Sequence, residues 1–171
     1  MRDIYIGFSK SKKFLPLLSW AIRALENTKF SHVYVKQNTK FDIDLIYQAS
    51  GTQVNFMNHL IFHEKNETVR EFKFEVSDLA YETYMKFALT NVGRSYGVKQ
   101  IFGIGLMKLF ALEKNPFPNG SADYVCSELV AEILYELLKF KIDREKFDRI
   151  TPKEIFDLCL KLEAANDIPK H

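Results

Sequence analysis

Arg2–Phe8 carries Ile4, Tyr5, Ile6 and Phe8, a β-rich run ended by Ser9-Lys10-Ser11-Lys12-Lys13. This predicts a strand followed by a loop. From Phe14 to Glu26, Leu15, Leu18, Ala21/Ile22 and Leu25 recur at helical spacing, with Pro16 tolerable in the first turn and Asn27 as a stop. Phe30–Lys36 sets His32 and Tyr34 against Val33 and Val35, the period of a strand. Asn38-Thr39-Lys40 turns the chain into a second strand, Asp42–Ala49, so a hairpin is expected before Ser50-Gly51-Thr52 breaks the pattern.

A short strand around Val54, a turn of helix over Phe56–Phe62 and a polar loop over Glu64–Glu67 follow. Thr68–Val76 alternates Val69, Phe72, Phe74 and Val76, again a strand. Ser77-Asp78 caps a helix from Leu79 to Val92, which Gly93 stops. Val98–Leu112 reads as a helix despite Gly103 and Gly105, and Glu113–Gly120 as a loop. Ser121 or Asp123 caps a long helix to Lys139, and Thr151-Pro152-Lys153-Glu154 starts another. Strands gather in the first half and helices in the second. The expected class is α+β: an antiparallel sheet from residues 2–76 packed against later helices, with the Cys126 helix on the sheet.

The length of 171 residues fits one domain, 1–171, and 47% hydrophobic with 27% charged residues supplies a core and excludes disorder. The net charge of +2 gives no reason to expect nucleic acid as a partner. Two cysteines, without CxxC or a Cys/His pattern, exclude a disulfide scaffold and give no metal-ligand pattern, and the thiol chemistry considered below needs neither a metal nor an organic cofactor. The early Asp3 and short apolar run argue against a secretory signal, so the expected compartment is the cytoplasm; a virion-associated protein reads the same way. Ile101–Leu112, interrupted by Lys108, is the longest apolar stretch and too short to span a bilayer. A core helix is the default for it. The alternatives are a wall of an apolar cleft or a peripheral hydrophobic contact with a membrane.

Cys126 stands in Asp123-Tyr124-Val125-Cys126-Ser127-Glu128-Leu129-Val130. If Asp123 caps, Cys126 is the third helical residue, where free N–H groups and the helix dipole favour thiolate. Cys126 also shares a face with Leu129, Val130, Ile133 and Leu137, and spacing alone favours an ordinary core thiol. Cys159, amid Ile155, Phe156 and Leu162, has neither cap nor loop and reads as core. A nucleophilic thiol needs a base. His171 is terminal, and His59 and His63 lie in a polar stretch, which leaves His32 on its strand. A hairpin sets Gln48 beside it, where the amide oxygen accepts from the imidazole and fixes its tautomer. A structural His32 and an edge-solvated Gln48 remain open on this evidence.

These residues carry a resemblance to the NlpC-type papain-like superfamily, in its circularly permuted YiiX-type branch, where the His strand precedes the Cys helix. Ser31-His32-Val33 resembles the first motif of that branch and Tyr47-Gln48-Ala49 the second, though many relatives have Glu at the position of Gln48. Gly93-Arg94-Ser95-Tyr96 resembles its Gly-x-x-Tyr element. Cys126-Ser127-Glu128-Leu129-Val130 resembles its Cys motif, and Thr151-Pro152 its closing element. The matches run from the first strand to Thr151-Pro152.

The resemblance implies a permuted papain-like fold and a cysteine hydrolase of amides or esters, of amidase, peptidase or acyl hydrolase type. It implies Cys126 as nucleophile, His32 as base and Gln48 as the third member. The Cys126 N–H, with Tyr96 or its rival Tyr124, would hold the oxyanion. Peptide, peptidoglycan-type and lipid or acyl substrates all occur among such relatives, and the Phe-rich Ile101–Leu112 leans to an apolar one. The alternative is a non-catalytic structural or interaction protein, virion-associated for example, that keeps the fold.

Overall fold

The computed structural model describes residues 1–12, 17–117, 123–138 and 142–164. The expected helix start at Phe14–Pro16, the Pro118–Gly120 part of the loop, the cap at Ser121, the helix end at Lys139 and the terminal His171 lie outside these residues. The described chain runs β1 (Arg2–Ser11), α1 (Leu17–Glu26), β2 (His32–Asn38), β3 (Asp44–Ser50), β4 (Gln53–Asn58), α2 (His59–Lys65) and β5 (Asn66–Val76). It continues through α3 (Asp78–Asn91), β6 (Ser95–Tyr96), α4 (Val98–Phe110), β7 (Asp123–Tyr124), α5 (Cys126–Leu138), a 3-10 turn (Arg144–Arg149) and α6 (Pro152–Ala164).

The architecture is α+β, with one seven-stranded sheet in the order β5-β1-β2-β3-β4-β6-β7. The first five strands pair antiparallel, and the expected β2–β3 hairpin is present, with Val35 opposite Tyr47. The sheet is not confined to residues 2–76. β6 pairs antiparallel with β4, and β7 then pairs parallel with β6, so two short segments from the second half extend the β4 edge. Ser9–Ser11 of the polar run after Phe8 are strand rather than loop, and Lys13 lies outside the described residues. Lys10 and Ser11 pair with Glu67 and Asn66, because long β5 offers them partners, and Lys10 Nζ sits 3.0 Å from Glu67. Beyond Ser9, where β1 has lost β2 and keeps β5 alone, the charge run is the solvated face of a strand rather than a break. The expected Glu64–Glu67 loop is likewise absent: α2 runs to Lys65 and β5 begins at the next residue.

Alternation along β1 and β2 gives the sheet two unlike faces. Ile4, Ile6, Phe8, Val33, Val35 and Tyr47 are buried in the main core with residues of α3, α5 and α6. Phe8, Phe30, Phe72 and Phe156 meet there with ring centroids 4.9–5.8 Å apart. On the other face Tyr34, Ile46 and Phe62 form a small cluster beneath α2. Gly7 lies opposite Tyr34, and a Cβ there would stand 2.2 Å from Tyr34 Cζ, so the ring has room only over glycine. At the C-terminal end, Thr151 N donates to Glu154 (2.8 Å) and Glu154 N to Thr151 Oγ1 (3.3 Å). This is the capping box that the sequence predicts for α6.

Candidate active site

The helix bearing Cys126 starts later than the sequence predicts. Asp123 does not cap it. Asp123 and Tyr124 are held extended by pairing with Ser95 and Tyr96, so the chain cannot turn helical before Val125. Leu129 N donates to Val125 O (3.0 Å), which makes Val125 the cap and Cys126 the first helical residue, not the third. The capping group is Glu128, whose carboxylate accepts from the Val125 N–H. That is half of a capping box, with a valine where Ser or Thr usually stands. Ser127 Oγ donates to Ile150 O (2.6 Å) and ties the same turn to the 3-10 segment.

The helix tip meets β2 where the hairpin opens. Pairing of β2 with β3 stops at Val35 and Tyr47, short of Val33. The Val33 N–H donates to the Cys126 sulfur instead, alongside the N–H groups of Cys126 and Ser127. The Tyr96 hydroxyl stands beside the sulfur. Across the same opening, His32 Nε2 lies 2.8 Å from Gln48 Oε1. The Gln48 amide is oriented by Asn55 Oδ1 (3.5 Å) and Met57 Sδ (3.9 Å), which accept from its nitrogen. Its oxygen therefore faces the ring, Nε2 carries the proton, and Nδ1 keeps a lone pair.

The structure thus brings Cys126 to Tyr96, and His32 to Gln48. The thiol's partners are the Val33, Cys126 and Ser127 N–H groups and Tyr96; a bond to the imidazole is not among them. His32 shares the face of Tyr34, with its ring 6.3 Å from Tyr34 and 6.4 Å from Phe62, whereas Cys126 belongs to the main core. The thiol meets β2 at the Val33 N–H, and the imidazole belongs to the residue just before it. Tyr124 is not placed as an oxyanion donor. Its hydroxyl donates to Glu132 (2.8 Å), and the Arg94 guanidinium lies 5.5 Å from its ring centroid.

Burial decides the protonation states. It pushes the Cys126 thiol up to about 11, although the three N–H groups pull the other way. It pushes His32 down to about 4, opposed only by the bond to Gln48. Tyr96 is raised well above its ordinary value by burial and by the sulfur beside it. The helix start favours thiolate, as the sequence argues, but desolvation outweighs it. The resting pair is a neutral thiol and a neutral imidazole. Cys159, mid-helix and fully buried, is pushed up to about 12, also by burial.

The apolar segment is neither core nor loop. Between α1 and α4 lies a cavity of about 230 Å³ whose lining includes Ile22, Leu25, Ile101, Phe102, Leu109 and Cys126. The expectation that Ile101–Leu112 walls a cleft beside Cys126 holds for its α4 portion. Gly103 is not there to loosen the helix. A Cβ at Gly103 would meet Asn115 Oδ1 at 1.8 Å, and Asn115 Nδ2 donates to Gln100 O (3.2 Å), so glycine lets the following loop lock onto α4. Glu26, also on the cavity wall, is buried; Lys108 Nζ (2.9 Å) and Lys153 N (3.2 Å) donate to it.

Sequence reading missed Glu26, Gln100 and the capping role of Glu128. Gln100 Nε2 donates to Asp148 O (2.7 Å) and Glu128 (3.3 Å), linking α4 to the Cys126 turn. Burial pushes Glu128 up to about 7. The one available signal was Glu128 standing three residues after Val125, which a search for Ser or Thr caps passes over. Among the described residues no three His, Cys, Asp or Glu side chains gather as metal ligands, and no helix is long and apolar enough to cross a membrane. No family model matches the chain, and a search of curated proteins found no match.

Proposed function

We propose that the protein is a cysteine hydrolase that cleaves an ester or amide whose acyl group is apolar. The observation that carries this reading is the position of Cys126, which helps line an apolar cavity between α1 and α4 and has three N–H groups and a tyrosine hydroxyl around its sulfur. The resemblance to permuted papain-like hydrolases supports the same roles. An apolar acyl chain suits this wall better than a peptide or peptidoglycan stem, which needs polar partners along its backbone.

The chemistry starts from the neutral pair. As Cys126 Sγ bonds to the carbonyl carbon, its proton passes to His32 Nδ1 through the β2–β3 opening, and the carbonyl electrons move onto oxygen. The Cys126 N–H and the Tyr96 hydroxyl hold that oxyanion. Collapse expels the alcohol or amine, which takes the proton back from His32 and leaves a thioester. Water then attacks the thioester with His32 as base and releases the acid. Gln48 keeps the imidazole in the tautomer with Nδ1 free.

The test is incubation with a series of p-nitrophenyl esters of increasing chain length, read as nitrophenolate release and as an acyl adduct on intact mass. Turnover that rises with chain length and disappears in Cys126→Ala supports the reading. Equal hydrolysis by the variant rejects it. One observation favours a second reading, a non-catalytic protein that keeps the fold: the thiol is neutral, and its partners do not include the imidazole. A wild-type chain that forms no adduct with any ester or amide of the series leaves that reading in front.

A further inference from the structure

We propose that the α1–α4 face is a docking surface for an anionic lipid membrane, and that the cavity opens onto it so that an acyl chain passes from bilayer to Cys126. The inference deepens the reading above and rests on it for the acyl substrate.

The first observation is continuity. Leu25, Phe102 and Leu109 line the cavity and are also 43%, 60% and 64% exposed, so the apolar wall runs out to the surface without a polar rim at these positions. Val98 and Phe110 extend that surface along α4, and exposed Phe117, whose ring centroid is 6.2 Å from that of Phe102, extends it beyond the helix. A helix apolar on its buried and its exposed side alike belongs in an apolar surround on both. With 13 residues α4 is too short to cross a bilayer but long enough to lie in its interface.

The second observation is charge. The charged side chains of α1 and α4 are Arg23, Glu26, Lys99 and Lys108. The one acid, Glu26, is buried and bonded to Lys108, so what these helices present to solvent is cationic. Lys99 lies on the same arc of α4 as Leu106 and Phe110 at 100° per residue, while exposed Glu113 and Lys114 beyond the helix offset each other, so the cations of this face are those of α1 and α4 themselves. Cations set among aromatic and aliphatic side chains suit an anionic headgroup layer over acyl chains. A two-fold partner copy would instead bring this cationic face against itself.

The experiment uses the Cys126→Ser chain, so that binding is read apart from hydrolysis. It is floated with vesicles of phosphatidylcholine alone and of phosphatidylcholine with phosphatidylserine, while light scattering gives its mass. The expected result is a monomer that floats with the anionic vesicles and less with the neutral ones. Lys99→Gln should weaken anionic binding about fivefold, and Phe102→Ser/Phe110→Ser should abolish flotation with the melting temperature retained. Absence of flotation overturns the proposal. Undiminished flotation of the folded double variant overturns it too, as does a dimer that the double variant dissociates. If the wild type hydrolyses soluble esters yet does not float, the docking inference fails while the hydrolase reading stands.

Discussion

His32 Nε2 and Gln48 Oε1 are 2.8 Å apart, and this bond bridges β2 and β3 where the ladder between them has already ended. An amide oxygen fixes the tautomer without adding charge, so burial is free to hold His32 down at about 4. Replacing Gln48 by Glu puts a carboxylate on the same ring, and an opposite charge at that distance favours imidazolium. Gln48→Glu should raise the His32 pKa by at least one unit, followed by its ring proton shifts. In the wild type the acid limb of kcat/KM should lie near pH 4, below the ordinary histidine range. In the variant it should move up with the ring.

The thiol at about 11 makes a second statement. Alkylation by a small neutral maleimide proceeds through thiolate, so the rate at Cys126 should keep climbing with pH past 9 rather than level off below 8. Peptide mapping after brief labelling should find Cys126 modified before Cys159, because Cys126 lies on a cavity and Cys159 in closed core. A plateau below pH 8 would show an ion pair that this geometry does not hold.

Legibility in the sequence followed locality. The β2–β3 hairpin, the caps at Ser77 and Thr151 and the packing of α5 on the sheet were readable because period and capping chemistry act within a few residues. Cys126, His32 and Gln48 are singled out by type and order. What stayed hidden depends on partners distant in sequence. Asp123 reads as a cap until Ser95 and Tyr96 hold it extended. His32 stands beside Tyr34 with Val33 toward the core, a placement that depends on the register of β2 against its neighbours. The neutral state of the thiol follows from burial, which no local pattern encodes.

Stability across mildly acidic pH should slope less in the wild type than in Glu128→Gln. His32 titrates at about 6.5 unfolded and about 4 folded, so the unfolded chain binds the extra proton in that window, and this contribution rises with pH. Glu128 titrates at about 4.5 unfolded and about 7 folded, so the native chain holds the extra proton, and this contribution falls with pH. The two oppose each other between about 4.5 and 6.5. With Gln at 128 the slopes of His32 and of His63, whose pKa burial also lowers, stand unopposed by Glu128, and urea midpoints should climb more steeply as pH rises through that range.

Lys108→Met should destabilise the fold more than its exposed position suggests. The substitution leaves the buried Glu26 carboxylate with the Lys153 N–H as its remaining partner across the α1–α4 cavity. Because Lys108 is partly solvated, the loss should be about 1–3 kcal/mol rather than that of a fully buried pair. Glu26→Gln/Lys108→Met should recover part of it, which urea denaturation of the double-mutant cycle measures.

The order of losses in turnover tests the site as a whole. Cys126→Ala removes the atom that bonds to the carbonyl and should abolish the acyl adduct with the fold intact. His32→Ala removes the base and should cost about 10²–10⁴-fold. Tyr96→Phe keeps the ring but deletes the hydroxyl beside the sulfur, so kcat should fall about 10²-fold or more while KM changes little. Gln48→Ala should cost less than His32→Ala, since it orients the base without being one. Cys159→Ala removes a small buried group and no chemistry, so stability should drop by about 1–2 kcal/mol with turnover retained. Tyr124→Phe should leave kcat close to wild type, because its hydroxyl is committed to Glu132. A Tyr124→Phe loss larger than that of Tyr96→Phe would move the oxyanion to the other side of β6 and undo the assignment of Tyr96.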